Sequence, residues 1–338
     1  MFILRSAEKK DIDDLYSLSQ LITFINLPPD REIIEQKVES SLRSFISPSK
    51  NLWENYYLFV MEDTEAKRVI GASMIHAQHG TEEEPHFYLT VGQENKFSST
   101  INTGFIHGTL KLGLESDGPT EIGGLILSPE YRANKSKLGK QLSFVRFLYM
   151  AIRPQFFKDT VHSELMPPFD KDGRAPLWEA IGRRFMNLEY QEADILSRSN
   201  KEFILNLFPS DTIYETLLPI EARHAIGKVG KETLPVKKML ESIGFEYTNE
   251  VDPFDGGPHY RAKLQDIEPV KNLFRAQIIQ AETKEKTPYL IKLSADNDPL
   301  FRAAMVFGEK KDKQLLISAE QVNKLKIQEN FETFVTTI

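Results

Sequence analysis

The centre of the chain combines a buried strand, a basic turn and an apolar helix in direct succession. Residues Glu121 to Leu127 form a β-prone, mostly apolar run that predicts a strand within a sheet. The run from Gly139 to Ile152 is strongly apolar and predicts a helix that ends before Pro154. Ser128 to Leu138, which separates the two, is polar and basic. This succession indicates a fold that mixes α and β elements.

Elements of both types flank this central unit. Asp11 and Asp30 are predicted N-caps of two amphipathic helices. The predicted strands share apolar, β-branched and aromatic residues, and they are Phe2 to Arg5, Tyr57 to Met61, Val69 to Ile75, Phe87 to Val91 and Val161 to Leu165. The second and third form an antiparallel hairpin, since only a polar turn separates them. Apart from the strand at 87–91, the pattern does not resolve residues 79–120.

The second half of the chain adds helices and then changes character. The helices are predicted at Pro176 to Arg184, Lys201 to Leu207 and Leu234 to Ile243, and beyond Tyr260 short β-prone runs follow. A length of 338 residues favours two domains, or one large domain with an appendage. We therefore predict an α+β fold with a mostly antiparallel sheet flanked by helices over 1–260, and a small β-rich, barrel-like domain over 261–338. A weak repeat, a helix followed by Gly and Phe, leaves open that 1–260 contains two related halves.

Composition excludes several classes of function. The chain carries 42 Lys and Arg against 49 Asp and Glu, a net charge of −7, so we expect no nucleic-acid partner. No run approaches the ~20 apolar residues of a membrane-spanning helix, and no signal peptide is predicted at the start. The chain has no cysteine, which removes disulfides and thiolate sites and fits a soluble, cytoplasmic protein.

The basic turn is a candidate anion site. Arg132, Lys135, Lys137 and Lys140 surround the start of the central helix near Gly139. Backbone N–H groups at a helix start and nearby cations bind phosphate oxygens. The alternative is an ordinary solvated basic loop.

Several motifs distributed over most of the length carry a resemblance. They are Phe59-Val60-Met61-Glu62-Asp63, Leu125-Ile126-Leu127-Ser128-Pro129-Glu130-Tyr131-Arg132, Ala175-Pro176-Leu177-Trp178, Gly182-Arg183-Arg184-Phe185, Ile226-Gly227-Lys228-Val229 and Asp252-Pro253-Phe254-Asp255-Gly256-Gly257-Pro258. On these segments the chain resembles the arginine N-succinyltransferase family, acyl-CoA-dependent N-acyltransferases of the GNAT superfamily. The resemblance implies a GNAT-like sheet and succinyl-CoA as a cosubstrate, with no permanently bound cofactor.

The same resemblance implies where the acyl-CoA binds. Leu125 matches the family's acyl-CoA position, on a strand whose free backbone groups pair with the pantetheine arm. The residues implied to contact the cosubstrate are Leu125, Leu127, Arg132, Lys137, Gly139 and Lys140. The loop departs from the superfamily pattern, because Lys137 stands where the first glycine is expected and only Gly139 is kept.

A second departure concerns catalysis. The family carries a catalytic histidine, the proton donor, directly after the Ile-Gly-x-Val motif, and this chain has Gly230 there. A positioned acid or base supplies roughly 10² to 10⁴ in rate. His224, six residues earlier, is the substitute candidate, and a partly exposed helix histidine without function is the alternative.

The reaction implied by the family also predicts substrate contacts. A guanidinium group should meet carboxylates, and a succinyl carboxylate should meet an arginine or lysine side chain. Glu164 and Asp255, with Asp170 and Asp172, are candidates for the first role. Arg183, with Arg174 and Arg184, is a candidate for the second, and Asp255-Gly256-Gly257 can equally be a sharp turn.

A metal site is not predicted. His76 and His79 have ligand-like spacing, but with His86 they form no complete set on a predicted helix, and thiolates are lacking.

The preferred hypothesis is succinyl transfer from succinyl-CoA to the α-amine of arginine, in arginine catabolism. The alternatives are a catalytically impaired CoA-binding member and an acyltransferase for a different amine. The family suggests a homo-oligomer or pairing with a paralogous chain.

Overall fold

The computed structural model describes residues 1–21, 27–197, 200–282, 287–295, 300–328 and 331–338. The strands among them are β1 (Phe2–Ser6), β2 (Tyr56–Asp63), β3 (Arg68–His76), β4 (His86–Ser98), β5 (Thr103–Glu115), β6 (Thr120–Leu127), β7 (Thr160–Glu164), β8 (Ile213–Tyr214), β9 (Glu246–Val251), β10 (Pro258–Lys263), β11 (Phe274–Gln280), β12 (Thr287–Lys292), β13 (Arg302–Lys311), β14 (Gln314–Ile317) and β15 (Glu332–Thr337).

The helices are likewise taken from the described residues. They are α1 (Ile12–Ser19), α2 (Arg31–Ile46), α3 (Leu138–Ile152), α4 (Pro176–Ala180), α5 (Gly182–Met186), α6 (Tyr190–Ser197), α7 (Glu202–Leu207), α8 (Ile220–Ala225), α9 (Leu234–Glu241), α10 (Glu268–Lys271) and α11 (Ala319–Leu325). None of the described helices is long and apolar enough to cross a bilayer.

The chain divides into two compact units built from interleaved segments. The first unit contains residues 1–78, 120–161 and 263–338, and the second contains 79–119 and 162–262. The first unit therefore groups the start, the centre and the end of the chain. The boundary at 260/261 stays a prediction, since the C-terminal residues group with the first unit and also close a barrel of their own.

The first unit is built on the antiparallel succession β13, β1, β2, β3 and β6. Helices α1 and α2 pack on each other and on β3 and β2, and their apolar residues share one core with these strands. Asp30 caps α2 as predicted, because its carboxylate accepts hydrogen bonds from the amides of Glu32 and Ile33. Helix α3 is apolar on almost every side, and it packs between strands and helix with most of its residues buried.

A closed five-stranded barrel completes the first unit. β11, β15, β12, β13 and β14 pair in this order, and β14 pairs back with β11 in parallel. Closure leaves no free strand edge within the barrel, and its interior holds a separate apolar core. The predicted barrel-like C-terminal region is confirmed.

The second unit contains the antiparallel succession β10, β9, β4, β5 and β8. β4 and β5 form one long hairpin, with thirteen residues in each strand. The short helices α4, α5, α7 and α8 contribute to an apolar core that also contains Leu89, Leu110 and Val251 of the strands. The mixed fold with mostly antiparallel pairing is confirmed.

Two local predictions were wrong in detail. Asp11 directly precedes α1, but its carboxylate does not cap the helix, because both oxygens accept hydrogen bonds from Arg5 at 2.7 and 2.8 Å. The helix expected over Pro176 to Arg184 breaks at Ile181, which has φ −123° and ψ −78°. A Cβ on Gly182 would lie 2.3 Å from the Trp178 ring, so the close approach of these two turns requires glycine.

Candidate active site

The predicted acyl-CoA strand is β6, and it carries a bulge at Leu125. Ala72 of β3 faces Ile126 and Met74 faces Gly123, so Gly124 and Leu125 lie opposite one residue of β3. Gly124 has φ +56°, a conformation that glycine adopts without strain. A bulge changes the direction of backbone groups and is frequent beside active sites. β6 is therefore irregular at Leu125, the position that the family resemblance implies for acyl-CoA binding.

A buried arginine supports this bulge from α3. Arg146 is 2% exposed, and its NH1 donates to the carbonyl of Gly123 at 3.2 Å. Its other donors bind the carbonyl and hydroxyl oxygens of Ser143 at 3.1 and 2.7 Å. Burial lowers the pKa of Arg146 to about 9. The side chain therefore holds the backbone immediately before the bulge.

The turn after β6 leads into the start of α3. Arg132 donates to the Leu127 carbonyl at 3.0 Å. Lys137 is the N-cap of α3 with φ +52°, and no side chain caps the helix there. A Cβ on Gly139 would contact nothing within 4 Å, so the protein leaves open space beside this glycine.

The start of α3 carries two lysines, Lys137 and Lys140. Among the described residues, no carboxylate forms an ion pair with Lys137 or Lys140. Partial burial and the charge of Lys137 lower the pKa of Lys140, whose ammonium lies 4.9 Å from the Phe144 ring centroid. Lysines and helix amides at one point favour an anion.

In the second unit, the Asp252 to Pro258 segment forms a tight loop. The Asp252 carboxylate accepts from the amides of Phe254 at 2.7 Å and Asp255 at 3.0 Å. The Asp255 carboxylate accepts from the Gly257 amide at 2.7 Å. Gly256 has φ +82°, and its carbonyl accepts from the Gly227 amide at 2.9 Å. The motif is thus a sharp turn, and it also fixes two carboxylates.

Acidic groups concentrate around this loop. Partial burial and the charge of Glu164 raise the pKa of Asp252 to about 7. Burial and the charge of Asp252 raise the pKa of Asp255 well above its ordinary value. Burial together with Asp255 and Asp252 also raises the pKa of Tyr190. An acidic environment of this kind favours a cationic ligand.

Gly230 is held against the segment that follows Glu164. Its amide donates to the Met166 carbonyl at 2.9 Å. A Cβ at this position would lie 2.9 Å from the Pro167 carbonyl oxygen and 3.4 Å from that of Met166. The backbone here therefore requires a glycine on steric grounds, at the position where the family resemblance implies a histidine.

Three buried histidines surround Glu164. His162 Nε2 lies 3.3 Å from Glu164 Oε1, and His86 Nδ1 and His259 Nε2 each lie 3.8 Å from it. Burial lowers the pKa of His162 to about 4 and that of His86 well below its ordinary value. Desolvation disfavours the carboxylate, but the His162 hydrogen bond and the surrounding imidazoles hold the pKa of Glu164 well below its ordinary value. We call these four residues the histidine cluster.

The described contacts join neither His224 nor Arg183 to the acidic loop or to the histidine cluster. His224 is exposed on the six-residue helix α8, and no described contact joins it to Glu164 or Asp255. Arg183 pairs with Glu179 at 3.2 Å and with Glu189 at 2.6 Å. Both assignments stay predictions. The Asp170 carboxylate accepts from the amides of Asp172 and Arg174 and shapes a turn.

Sequence reasoning missed His162 and His259. One signal was present, because His162 and Glu164 are two residues apart on a strand and such residues share a face. His259 and His86 join them only through the pairing of β10, β9 and β4. That pairing has no local signature.

Comparison with known proteins agrees with the motifs. The family model described as arginine N-succinyltransferase beta subunit matches residues 2–269. The chain belongs to the arginine N-succinyltransferase family. A relative from Yersinia pseudotuberculosis, named arginine N-succinyltransferase, is 32% identical over 336 residues, covering 97% of this chain and 95% of the relative.

Two further relatives also match this chain over nearly its whole length. The Escherichia coli arginine N-succinyltransferase is 28% identical over 329 residues, covering 96% of this chain and 94% of its own. The solved structure of arginine/ornithine succinyltransferase subunit AI from Pseudomonas aeruginosa superposes with a TM-score of 0.84 at 26% identity, covering 100% of this chain and 98% of that chain. The likeness to the family therefore extends over both units.

Proposed function

We propose that this protein transfers the succinyl group of succinyl-CoA to the α-amine of arginine. The near full-length match to relatives named arginine N-succinyltransferase carries the proposal. The thioester bond to CoA breaks, an amide bond forms, and the amine proton leaves while CoA departs as the thiol. The reaction belongs to arginine breakdown. The catalytically impaired alternative is not favoured.

The first unit supplies the proposed cosubstrate site, in a GNAT-like arrangement of strand, turn and helix. The backbone at Leu125 and Leu127 would pair with the pantetheine arm, and an N–H at the bulge would stabilise the oxyanion of the tetrahedral intermediate. Arg132, Lys137, Lys140 and the helix start at Gly139 would hold the pyrophosphate. The bulge at Gly124 supports this assignment, and so do the two lysines, for which the described residues provide no ion-pair partner.

The second unit supplies the proposed amine site. Glu164 and Asp255 would receive the guanidinium group, because a bidentate carboxylate matches its fork of donors. The acidic surroundings of the Asp252 to Pro258 loop support this role. Arg183 stays the candidate for the succinyl carboxylate, and it would exchange Glu179 or Glu189 for that ligand.

A thiol-release assay tests the proposed function. The purified full chain is mixed with succinyl-CoA and arginine, free thiol is followed with a chromogenic disulfide, and the product mass is determined. We expect thiol release that depends on arginine, with a product heavier by one succinyl group. Ornithine and lysine serve as acceptor controls, and release with one of them but not with arginine would move the substrate. CoA binding by calorimetry without release would contradict turnover.

We also propose that the protein self-associates through the β4–β5 hairpin. The solved relative is titled a subunit, which supports assembly. The hairpin exposes Phe97, Ile101, Phe105 and Ile106 by 58 to 70% at its end. In the described residues, the pairings of β4 and β5 with β9 and β8 involve only residues 89–90 and 109–110, so the end is a two-stranded ribbon. A free strand edge can pair with the same edge of a second copy around a twofold axis.

A further inference from the structure

The histidine cluster contains ring nitrogens that the protein itself does not satisfy. Nε2 of His86 and both ring nitrogens of His259 are buried without a hydrogen-bond partner among the described groups. Both residues are at most 2% exposed. A buried polar atom without a partner loses its hydrogen bonds to water and gains none in return, which disfavours the folded state. One of these atoms, His259 Nε2, lies 3.8 Å from Glu164 Oε1. A buried ring nitrogen without a partner and aimed at a carboxylate indicates a ligand.

The four side chains converge on a small volume. One ligand atom from each of His86, His162, Glu164 and His259 lies within 4.8 Å of the other three. In a tetrahedral zinc site with bonds of ~2.0–2.1 Å, neighbouring ligand atoms are roughly 3.3 Å apart. The 3.8 Å separations of His86 Nδ1 and His259 Nε2 from Glu164 Oε1 are close to this value. A contraction of about 0.5 Å, within the motion of side chains, would complete the geometry.

His162 has a different hydrogen-bond pattern. Arg261 Nε donates to His162 Nδ1 at 3.3 Å, so the proton of the neutral ring is on Nε2. His162 Nε2 then donates to Glu164 Oε1 at 3.3 Å. Arg261 is itself fixed by Glu115 at 2.9 Å and Glu250 at 3.2 Å. His162 is therefore suited to orient the carboxylate rather than to bind a metal.

We propose that His86, His259 and Glu164 bind a divalent first-row transition-metal ion of the zinc class, with His162 as a positioning residue for Glu164. Two imidazoles and one carboxylate are a common donor set for such ions. The supporting partners follow the usual pattern, since ligating carboxylates are hydrogen-bonded and ligating histidines face a carboxylate. Glu250 Oε2 lies 3.9 Å from His259 Nδ1.

The scaffold and access also suit a metal. Each ligand comes from a paired strand, namely β4, β7 and β10, which fixes its direction. The Glu164 side chain is 33% exposed, whereas the two histidines are enclosed. An ion would thus enter past Glu164 and keep open coordination positions on that side. The proposal does not rest on acyl transfer, and its readouts do not use activity.

Metal stoichiometry tests the proposal on the full chain without a polyhistidine tag. The protein is treated with a chelator, dialysed, and titrated with ZnCl₂ against a chromogenic chelator, and bound zinc is counted by elemental analysis. We expect one zinc ion per chain, a higher melting temperature with zinc, and visible absorption bands with Co²⁺. No saturable binding by the wild-type chain would overturn the proposal.

Variants identify the ligands. His86→Gln and His259→Gln should weaken zinc binding by more than about 100-fold, because loss of an outer partner alone costs about 10- to 100-fold. His162→Gln should weaken it within that smaller range. The matched control is His107→Gln, a half-buried histidine that contacts Thr216 elsewhere in the unit. Far-UV circular dichroism separates misfolding from ligand loss.

The zinc affinities of the variants test the site and the role of His162 separately. Unchanged affinity in the folded His259→Gln chain would overturn the site, as would equal loss in the His107→Gln control. A loss in His162→Gln as large as in His259→Gln would overturn its role as a positioning residue. Zinc binding without turnover would leave this inference standing and the proposed function rejected.

Discussion

At the scale of single residues, Gly230 decides whether the family histidine can be restored. A Cβ there would approach the Pro167 carbonyl oxygen to 2.9 Å, so any side chain must displace that backbone. We expect Gly230→Ala to destabilise the fold by about 1–3 kcal/mol. We expect Gly230→His to destabilise it likewise and to give no gain in turnover. Chemical denaturation and the thiol-release assay measure the two effects.

A matched control is Gly139→Ala, because a Cβ at that position meets nothing within 4 Å. Its free energy of unfolding should stay within about 0.5 kcal/mol of the wild-type value. A faster and equally stable Gly230→His enzyme would show that the loop accommodates the ring.

The Arg5–Asp11 ion pair is the clearest stabilising polar contact at this scale. Both residues are at most 5% exposed and join through two hydrogen bonds, while Arg5 Nε also binds Glu62 at 2.7 Å. Removing one partner leaves a buried charge, so Asp11→Ala should lower the free energy of unfolding by about 3–5 kcal/mol. The exposed Lys9–Glu39 pair, at 2.7 Å, is the control. Lys9→Ala should change stability by less than about 1 kcal/mol, and equal losses in the two variants would contradict the argument.

At the scale of elements, the start of α3 should decide affinity for the nucleotide part of succinyl-CoA. Lys137→Gly removes a charge but also relieves a left-handed conformation that costs a non-glycine residue about 1–2 kcal/mol. We therefore expect a chain at least as stable as the wild type. Combined with Lys140→Ala, it should raise KM for succinyl-CoA by about 10- to 100-fold, with kcat little changed.

The control for this pair is Lys313→Ala, an exposed lysine beside β14. Its KM should equal that of the wild type. An unchanged KM in the double variant would favour the solvated-loop alternative for the basic turn.

The β4–β5 hairpin makes a prediction about assembly. Light scattering should give a molar mass above the 38.8 kDa of one chain. Phe97→Ser with Ile106→Ser should return the mass toward one chain, because the exposed apolar surface is lost. Leu217, 79% exposed outside the hairpin, provides the control Leu217→Ser. A monomeric wild-type protein would contradict self-association, and a mass equal in wild type and double variant would place the interface elsewhere.

Local elements were predictable where a single segment carries the signal. Spacing and capping alone predict three features, namely Asp30 before α2, the β2–β3 hairpin and the apolar helix α3. The β4–β5 hairpin could not be predicted in this way. Its distal half is polar or exposed and lacks a buried face. The helix break at Ile181 depends on how closely Gly182 approaches Trp178, which only the folded packing sets.

The candidate site also has one part that lies in a single segment and another part that combines distant segments. Strand β6 and the basic residues at 132–140 lie in one contiguous segment, whose pattern predicts a strand, a basic turn and a helix. The histidine cluster combines residues 86, 162, 164 and 259, and their proximity depends on strand pairing between distant segments. Pairing between distant strands leaves no periodic pattern in the sequence from which it could be predicted.

At the scale of the whole molecule, the C-terminal residues should be indispensable to the first unit. β13 pairs with β1 through Leu4 and Ala303, and the barrel continues that sheet. A chain ending at Ala262 would leave the β1 edge open and lose the partner of Leu4. We expect it to aggregate, or to show rapid amide exchange in β1 when soluble, as measured by hydrogen exchange. Native-like protection of β1 in that truncated chain would contradict the expectation.

The interleaving of the two units sets the order in which a newly made chain can mature. Until the residues near 303 have been synthesised, β1 has its neighbour β2 but lacks its second neighbour β13, although every residue of the second unit is already present. The second unit can thus fold before the first unit receives its last segment, residues 263–338. A translational pause after about residue 262 would prolong the time for which the β13-facing edge of β1 is exposed to aggregation.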